Sequence, residues 1–194
     1  MIAYLSGKFS YKTPTMVYVD VSGVGYEVNI SLNTYTHIER LDEGKLFTYL
    51  QVKEDAHTLY GFFDLTEKEM FTLLISVSGV GASTARMMLS GMKSEEIKNA
   101  IMMKHTSVLE SVKGIGKKTA ERIVLELKDK ISKISTTAAG FASVGNTLEQ
   151  DALNALVALG ISRPAGEQAI KKVVISEPSI NILESLIKKA LKAI

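Results

Sequence analysis

The sequence predicts an α+β chain of several small domains: an N-terminal five-stranded barrel, a helical domain built on two glycine hairpins, and a C-terminal three-helix unit. Three observations carry this prediction. Five short runs rich in Val, Ile, Tyr, Phe and Thr crowd residues 1–63. A central stretch repeats itself without a gap at an offset of 35 residues. Residues 134–146, "ISTTAAGFASVGN", are small, polar and aperiodic, and mark the clearest boundary in the chain.

The five β runs are "IAYLSGKF", "MVYVDV", "GYEVNI", "LFTYLQV" and "TLYGFF", bounded by Gly, Pro and Asn turns. In the second, Met16, Tyr18 and Asp20 fall on one face and Val17, Val19 and Val21 on the other. A polar stretch, "LNTYTHIERLDEG", separates the third run from the fourth and has room for a small helix. Five strands in so short a segment favour a closed or nearly closed barrel, because closure removes unpaired edges. That is the arithmetic of an OB-fold. Gly23 and Gly25 in "SGVGYEV" read as hairpin and barrel-bend glycines.

Residues 64–133 read as helical. "DLTEKEMFTLLISV" opens on an Asp or Thr cap before an apolar stripe at Met70, Phe71, Leu74 and Ile75. The composition of residues 134–146 predicts a flexible linker. Residues 147–194 read as three short helices. The first has a Thr147 cap and stops at Gly160, and the second starts near Ser162 with Pro164 in its first turn. The third carries Ile182, Leu183, Leu186, Ile187 and Ala190 on one side. The expected division is therefore 1–63, 64–133, 134–146 and 147–194.

Composition narrows the function. With 194 residues, 46% hydrophobic and 23% charged, the chain is ordinary globular material. No apolar run approaches the roughly 18 residues of a membrane helix, and the start lacks the layout of a signal peptide. A cytoplasmic protein without membrane contact is expected. Zero cysteines exclude disulfides, thiolate metal sites and cysteine nucleophiles. The net charge of +2 is uneven: residues 64–133 hold 12 basic and 9 acidic side chains, against 5 and 7 in residues 1–63. That surplus is too mild to decide for nucleic acid alone.

"SVKGIGKKTAERIV", residues 111–124, looks like a nucleotide loop but fits none. A P-loop ending at Gly116-Lys117 needs glycine where Ser111 stands and Ser or Thr where Lys118 stands. A Rossmann fingerprint needs a third glycine at Thr119. Slid back 35 residues, the stretch lands on "SVSGVGASTARMML", residues 76–89, with six of fourteen positions identical. Val80 and Ile115 correspond, as do the small Ala85 and Ala120, where two helices must cross closely. Each copy is helix, glycine hairpin, helix. The second helix begins with unpaired N–H groups at its positive end and binds an anion without any basic side chain. Two such clusters suit successive phosphates along a backbone, and phosphate contacts carry no sequence information. Sequence-independent DNA binding is the expectation.

This form resembles the helix-hairpin-helix motif, and the tandem pair is similar to that of the RuvA family, Holliday-junction-binding proteins of bacterial recombination and DNA repair. The likeness spans the chain: "VKEDAHTLYGFF" (52–63), "LSGM" (89–92) and "GIGKKTAERIVLELKDK" (114–130) look like family signatures. It implies an OB-fold barrel, a tandem helix-hairpin-helix domain and a UBA-like C-terminal unit. It places DNA contacts on Gly79, Val80, Gly81, Ser83 and Thr84, and on Gly114, Ile115, Gly116, Lys117, Lys118, Thr119 and Arg122. Where the family often has a lysine in the first hairpin, this chain has Ser83, so that hairpin must rely on amides and hydroxyls, with only Arg86 nearby.

Glu54 and Asp55, by themselves a solvated strand-to-strand turn, become by resemblance an acidic pin on the DNA-facing side. The resemblance further implies a homotetramer, or two tetramers sandwiching a four-way junction. Its implied partners are the RuvB ring ATPase, docked through residues 147–194, and the RuvC resolvase.

Tandem hairpins also occur in nucleases, and a structure-specific nuclease or nuclease accessory subunit is the alternative. Nothing in the sequence supplies its chemistry. His37, His57 and His105 are scattered without metal-ligand spacing, Glu95-Glu96 suits an ordinary helix start, and no carboxylate cluster suggests a two-metal site. A non-catalytic platform without cofactor or metal is expected.

Overall fold

A computed structural model describes residues 1–142, 148–178 and 180–194. The expected Thr147 cap lies outside the described residues. The chain divides into two compact units, 1–133 and 134–194.

The first unit opens with strands β1 (Tyr4–Thr13), β2 (Met16–Val21) and β3 (Val24–Ile30), then helix α1 (Leu32–Ile38) and strands β4 (Glu43–Val52) and β5 (His57–Phe62). The strands close in the order β1-β2-β3-β5-β4, with β3 and β5 parallel and the other pairs antiparallel. This is the expected OB-type barrel, with its helix in the polar stretch after β3. Val17 and Val19 are fully buried inside it with Leu5, Phe9, Val28, Ile30 and Leu46, and Ile38 of α1 joins them.

The bend reading of Gly25 does not hold. A Cβ there meets open space at ordinary φ, whereas Gly23 takes φ +90° in the β2–β3 turn. Close approach falls instead on Gly7 and Gly61, where a Cβ would lie 2.0 Å from the Asp20 carbonyl oxygen and 2.5 Å from Val28 Cγ1.

Helices α2 (Leu65–Ile75), α3 (Ala82–Gly91), α4 (Ser94–Met102), α5 (Thr106–Glu110) and α6 (Lys117–Ala142) follow. Asp64 caps α2, its Oδ1 accepting from the Glu67 N–H at 2.7 Å. Met70, Phe71 and Leu74 are buried as the stripe requires, and Ile75 is half-buried. Phe71 meets the rings of Tyr60 and Phe62 on β5 at 5.1 and 4.9 Å, so barrel and helices share one hydrophobic core.

Polar contacts reinforce that joint. Glu67, 4% exposed, accepts from Ser31 and from Thr34 Oγ1, the latter at 2.6 Å. Asn33 Nδ2 donates to the Met92 carbonyl at 3.1 Å. Arg86 Nη1 donates to the Thr15 carbonyl at 3.1 Å and to Asn29 Oδ1 at 2.7 Å.

The expected linker is corrected in part. Helix α6 continues to Ala142, nine residues into the 134–146 segment. Ser, Thr and Ala cost a growing helix at most tenths of a kcal/mol each, Gly140 costs about 1 kcal/mol, and extension adds one hydrogen bond per residue once a helix exists. The segment contains no proline to stop it. Residues 143–147 lie outside the described residues.

Beyond them, α7 (Leu148–Ala158), α8 (Arg163–Ser176) and α9 (Leu183–Lys192) pack on one another. Their core is Ala152, Leu153, Leu156, Ala169, Ile170, Val173, Leu186 and Ala190. Gly160 ends α7 at φ +91°, and Pro164 sits in the first turn of α8, as expected. The apolar side of α9 is narrower than its sequence stripe. Ile182 and Leu183 are exposed, because they stand at its N-terminal edge.

Candidate nucleic-acid interface

The two copies of the repeat fold alike. In the first, Val80 N–H donates to the Val77 carbonyl at 3.0 Å; in the second, Ile115 N–H donates to Val112 at 3.1 Å. Both turns pass through glycine in the left-handed region, Gly79 at φ +93° and Gly114 at φ +95°. Any residue with a Cβ is strained there. The next helix starts equivalently in each, with Ala85 N–H to Gly81 at 2.9 Å and Ala120 N–H to Gly116 at 3.0 Å. Ala85 and Ala120 are fully buried, as a close helix crossing demands.

The remaining glycines have no internal explanation. Gly81 takes φ −84°, ordinary for any residue, and lacks a side chain to cap α3. A Cβ added at Gly79, Gly81, Gly114 or Gly116 meets nothing within 4 Å. Space inside the fold therefore does not require glycine at these four positions, although the left-handed φ does at Gly79 and Gly114. At Gly81 and Gly116 something arriving from outside does, if it must reach the amides of residues 82–84 and of 117 and 118 at the helix starts; the Thr119 N–H is already given to the Gly116 carbonyl at 2.9 Å.

The expected contact residues divide by exposure. Gly79, Gly81, Ser83, Gly114, Gly116, Lys117, Lys118 and Arg122 are exposed, and Thr84 and Thr119 are half-buried. Val80 and Ile115 differ from these: each is 5% exposed, and its N–H is already engaged within the turn. They anchor the hairpins in the core and offer no donor to a ligand. Arg122 does more than expected, since its Nη1 donates to the Ser78 carbonyl of the other hairpin at 3.3 Å while Nε faces Glu126 at 3.6 Å. Arg86 does less, because its guanidinium is held by the barrel.

Two exposed cations outside the expected set also stand beside these turns. Lys113 precedes Gly114, and Lys130 Nζ donates to Ser76 Oγ at 3.2 Å. The spacing of Arg122, Glu126 and Lys130 at i, i+4 and i+8 on one helix face was the available sequence signal for Lys130.

Glu54 and Asp55 form the tip of the β4–β5 turn, closed by Lys53 N–H to the Ala56 carbonyl at 2.9 Å, and both are exposed. The residues weighed for catalysis are placed apart. His37 stacks on Phe63 at 4.6 Å, His57 begins β5 and His105 precedes α5. Glu96 caps α4 by accepting from the Lys93 N–H at 2.8 Å, an ordinary helix-start role. Among the described residues no group of three or more His, Asp or Glu side chains is arranged to hold a metal ion.

Comparison with known proteins matches the architecture segment by segment. The RuvA N-terminal domain matches residues 1–61, the SAM-like helix-hairpin-helix tandem residues 71–129, and the RuvA C-terminal domain residues 147–194. Three relatives carry the name Holliday junction branch migration complex subunit RuvA. The protein of Christiangramia forsetii is 46% identical over 192 residues, that of Flavobacterium psychrophilum 47% over 192, and that of Cytophaga hutchinsonii 45% over 197. Each alignment covers 99% of this chain and 99% of the relative. A barrel, a tandem hairpin domain and a three-helix unit in this order, at this identity over the full length, make the chain a member of the RuvA family.

Proposed function

We propose that this protein binds four-way junction DNA without reading its sequence, holds the junction open, and recruits the RuvB ring ATPase for branch migration. The observation that carries this is the pair of equivalent hairpins whose outer glycines face open space at uncapped helix starts. Each presents amides to a phosphate, and a phosphate is the same at every base pair. The names of the relatives support the junction as the target and the RuvB-driven complex as the setting. ATP hydrolysis belongs to RuvB, and this chain is a non-catalytic subunit.

Family membership supports the finer assignments of this reading. Residues 1–63 and 64–133 act as barrel and DNA-binding domain, residues 134–146 as the tether, and residues 147–194 as the docking unit for RuvB. The DNA contacts are the amides and side chains around Gly79–Thr84 and Gly114–Thr119, with Lys117, Lys118 and Arg122 as cations. Val80 and Ile115 support these from the core. Glu54 and Asp55 form the acidic pin. Four copies match the four arms of a junction, as symmetric proteins match symmetric sites; a second tetramer completes a sandwich, and RuvC resolves the product. The protein acts in the cytoplasm; among the described residues no helix is long and apolar enough to cross a membrane.

The test measures the full chain on a four-way junction, on duplex of the same sequence, and on a junction of scrambled sequence, with sizing of each complex. Binding favours both junctions equally over duplex, with four or eight subunits per junction. Equal affinity for junction and duplex, or a sequence preference, refutes the reading.

A further inference from the structure

The two hairpins are alike in backbone and unlike in charge. At the three aligned positions where the second hairpin has Lys113, Lys117 and Lys118, the first has Ser78, Ala82 and Ser83. Arg86 is turned away to the barrel. Taken by itself, the first hairpin has amides and hydroxyls but no cation. A phosphate bound there would release little of its counterion atmosphere.

Helix α6 alters that picture. It starts at the second hairpin and runs back past the first, bringing Arg122 to the Ser78 carbonyl at 3.3 Å and Lys130 to Ser76 Oγ at 3.2 Å. Both partners lie in the turn or at the helix end that leads into Gly79. The reverse arrangement is absent from the repeat: the positions of α3 and α4 that align with Arg122 and Lys130 are Met87 and Glu95.

Arg122 is partly compensated by Glu126 at 3.6 Å. Lys130 is exposed and hydrogen-bonded to a neutral hydroxyl. Ser76 in turn donates its own proton to the Leu73 carbonyl at 2.7 Å, so it accepts from Lys130 without competing for other charge. Among the described residues no ion pair engages Lys130, and no acidic residue occurs between Asp129 and Glu149.

We propose that Lys130, together with Arg122, supplies the first hairpin's cationic phosphate contact from the second motif's helix, in place of a lysine within that hairpin. The inference rests on the DNA-binding reading above and adds a contact residue to it. Lys130 holds its ammonium over the exit of α2, and its remaining N–H groups are free to face a backbone phosphate. The two hairpins then share one cationic helix, and loss of Lys130 weakens the first without altering its turn. A purely structural role is the competing account, since a cation at the C-terminal end of α2 complements that helix's dipole. The two accounts differ in salt dependence.

The experiment is a salt series of junction binding with the full chain, comparing wild type, Lys130→Gln, Lys130→Arg, Ser76→Ala and the pair Lys117→Gln with Lys118→Gln. Thermal midpoints are recorded for each. Lys130→Gln lowers the slope of log K against log salt by about 0.9, and so weakens binding about eightfold at 0.1 M relative to the 1 M extrapolation. Lys130→Arg keeps the wild-type slope, and Ser76→Ala, which removes the hydroxyl and not the charge, keeps it too. A wild-type slope in Lys130→Gln, with a reduced slope in the Lys117 and Lys118 pair, overturns this inference and leaves the DNA-binding reading intact. A lowered thermal midpoint at that unchanged slope assigns Lys130 to the α2 terminus instead. Failure of the wild type to prefer a junction refutes both.

Discussion

At the scale of single residues, exposure and charge decide what each side chain does. Glu54 and Asp55 put two exposed carboxylates at one tight turn. In the proposed tetramer, a duplex laid across the centre brings phosphates against them, and each close like-charge contact costs on the order of 1 kcal/mol in water-like surroundings. Changing them to Gln and Asn narrows the junction-over-duplex preference by roughly fivefold or more, with junction affinity retained. Equal ratios for mutant and wild type at matched salt would show a plain solvated turn. Glu67 is the opposite case, a carboxyl sealed between barrel and helices. Burial raises its pKa above the ordinary 4.5, with the hydroxyls of Ser31 and Thr34 opposing that rise. The folded state therefore holds this proton more tightly than the unfolded state. Its contribution to stability is full below pH 4.5 and is lost as pH rises through the folded value. Urea unfolding across that range should show wild type losing stability relative to Glu67→Gln as pH rises. A difference independent of pH would mean that Glu67 does not titrate differently on folding.

At the scale of the element, the hairpins separate two reasons for glycine. Gly79 and Gly114 need a left-handed backbone, so alanine there strains the fold by about 1 kcal/mol or more. Gly81 and Gly116 have open space, so alanine there leaves the thermal midpoint close to wild type. The added methyl instead stands before the helix-start amides and reduces junction affinity by roughly tenfold, about the worth of one charge-assisted hydrogen bond. Unchanged affinity in folded Gly116→Ala would remove these amides from the interface. The repeat made this pairing legible, because it aligned Gly79 with Gly114 and Gly81 with Gly116 before any fold was considered. The end of α6 was not legible, since Ser, Thr and Ala are compatible with helix and with loop alike. The burial of Val80 and Ile115 was not legible either, because sequence adjacency to glycine says nothing of which way a side chain turns.

At the scale of the whole molecule, the described residues keep every proposed phosphate contact within one compact unit and the proposed motor-docking helices in another. The division between units falls inside α6, so a useful cut lies after Ala142. The 1–142 fragment should bind a junction within about twofold of the full chain, an ordinary effect of removing residues with no contact. It should fail to stimulate RuvB-driven branch migration. Stimulation at the full-length level would show that residues 147–194 are not the docking unit.

The sequence by itself determined the three segments, the five strands, the two hairpins and the absence of cysteine chemistry. All of these are written in local pattern: alternation, glycine placement and a gapless repeat. Tertiary structure decided which charges stand beside which hairpin. Arg86 lies five residues beyond Gly81 yet belongs to the barrel, and Lys130 lies 51 residues beyond Gly79 yet belongs to the first hairpin's edge. Long side chains act where their ends arrive, and only the placing of α3 beside the barrel and of α6 past the end of α2 fixes those ends in space.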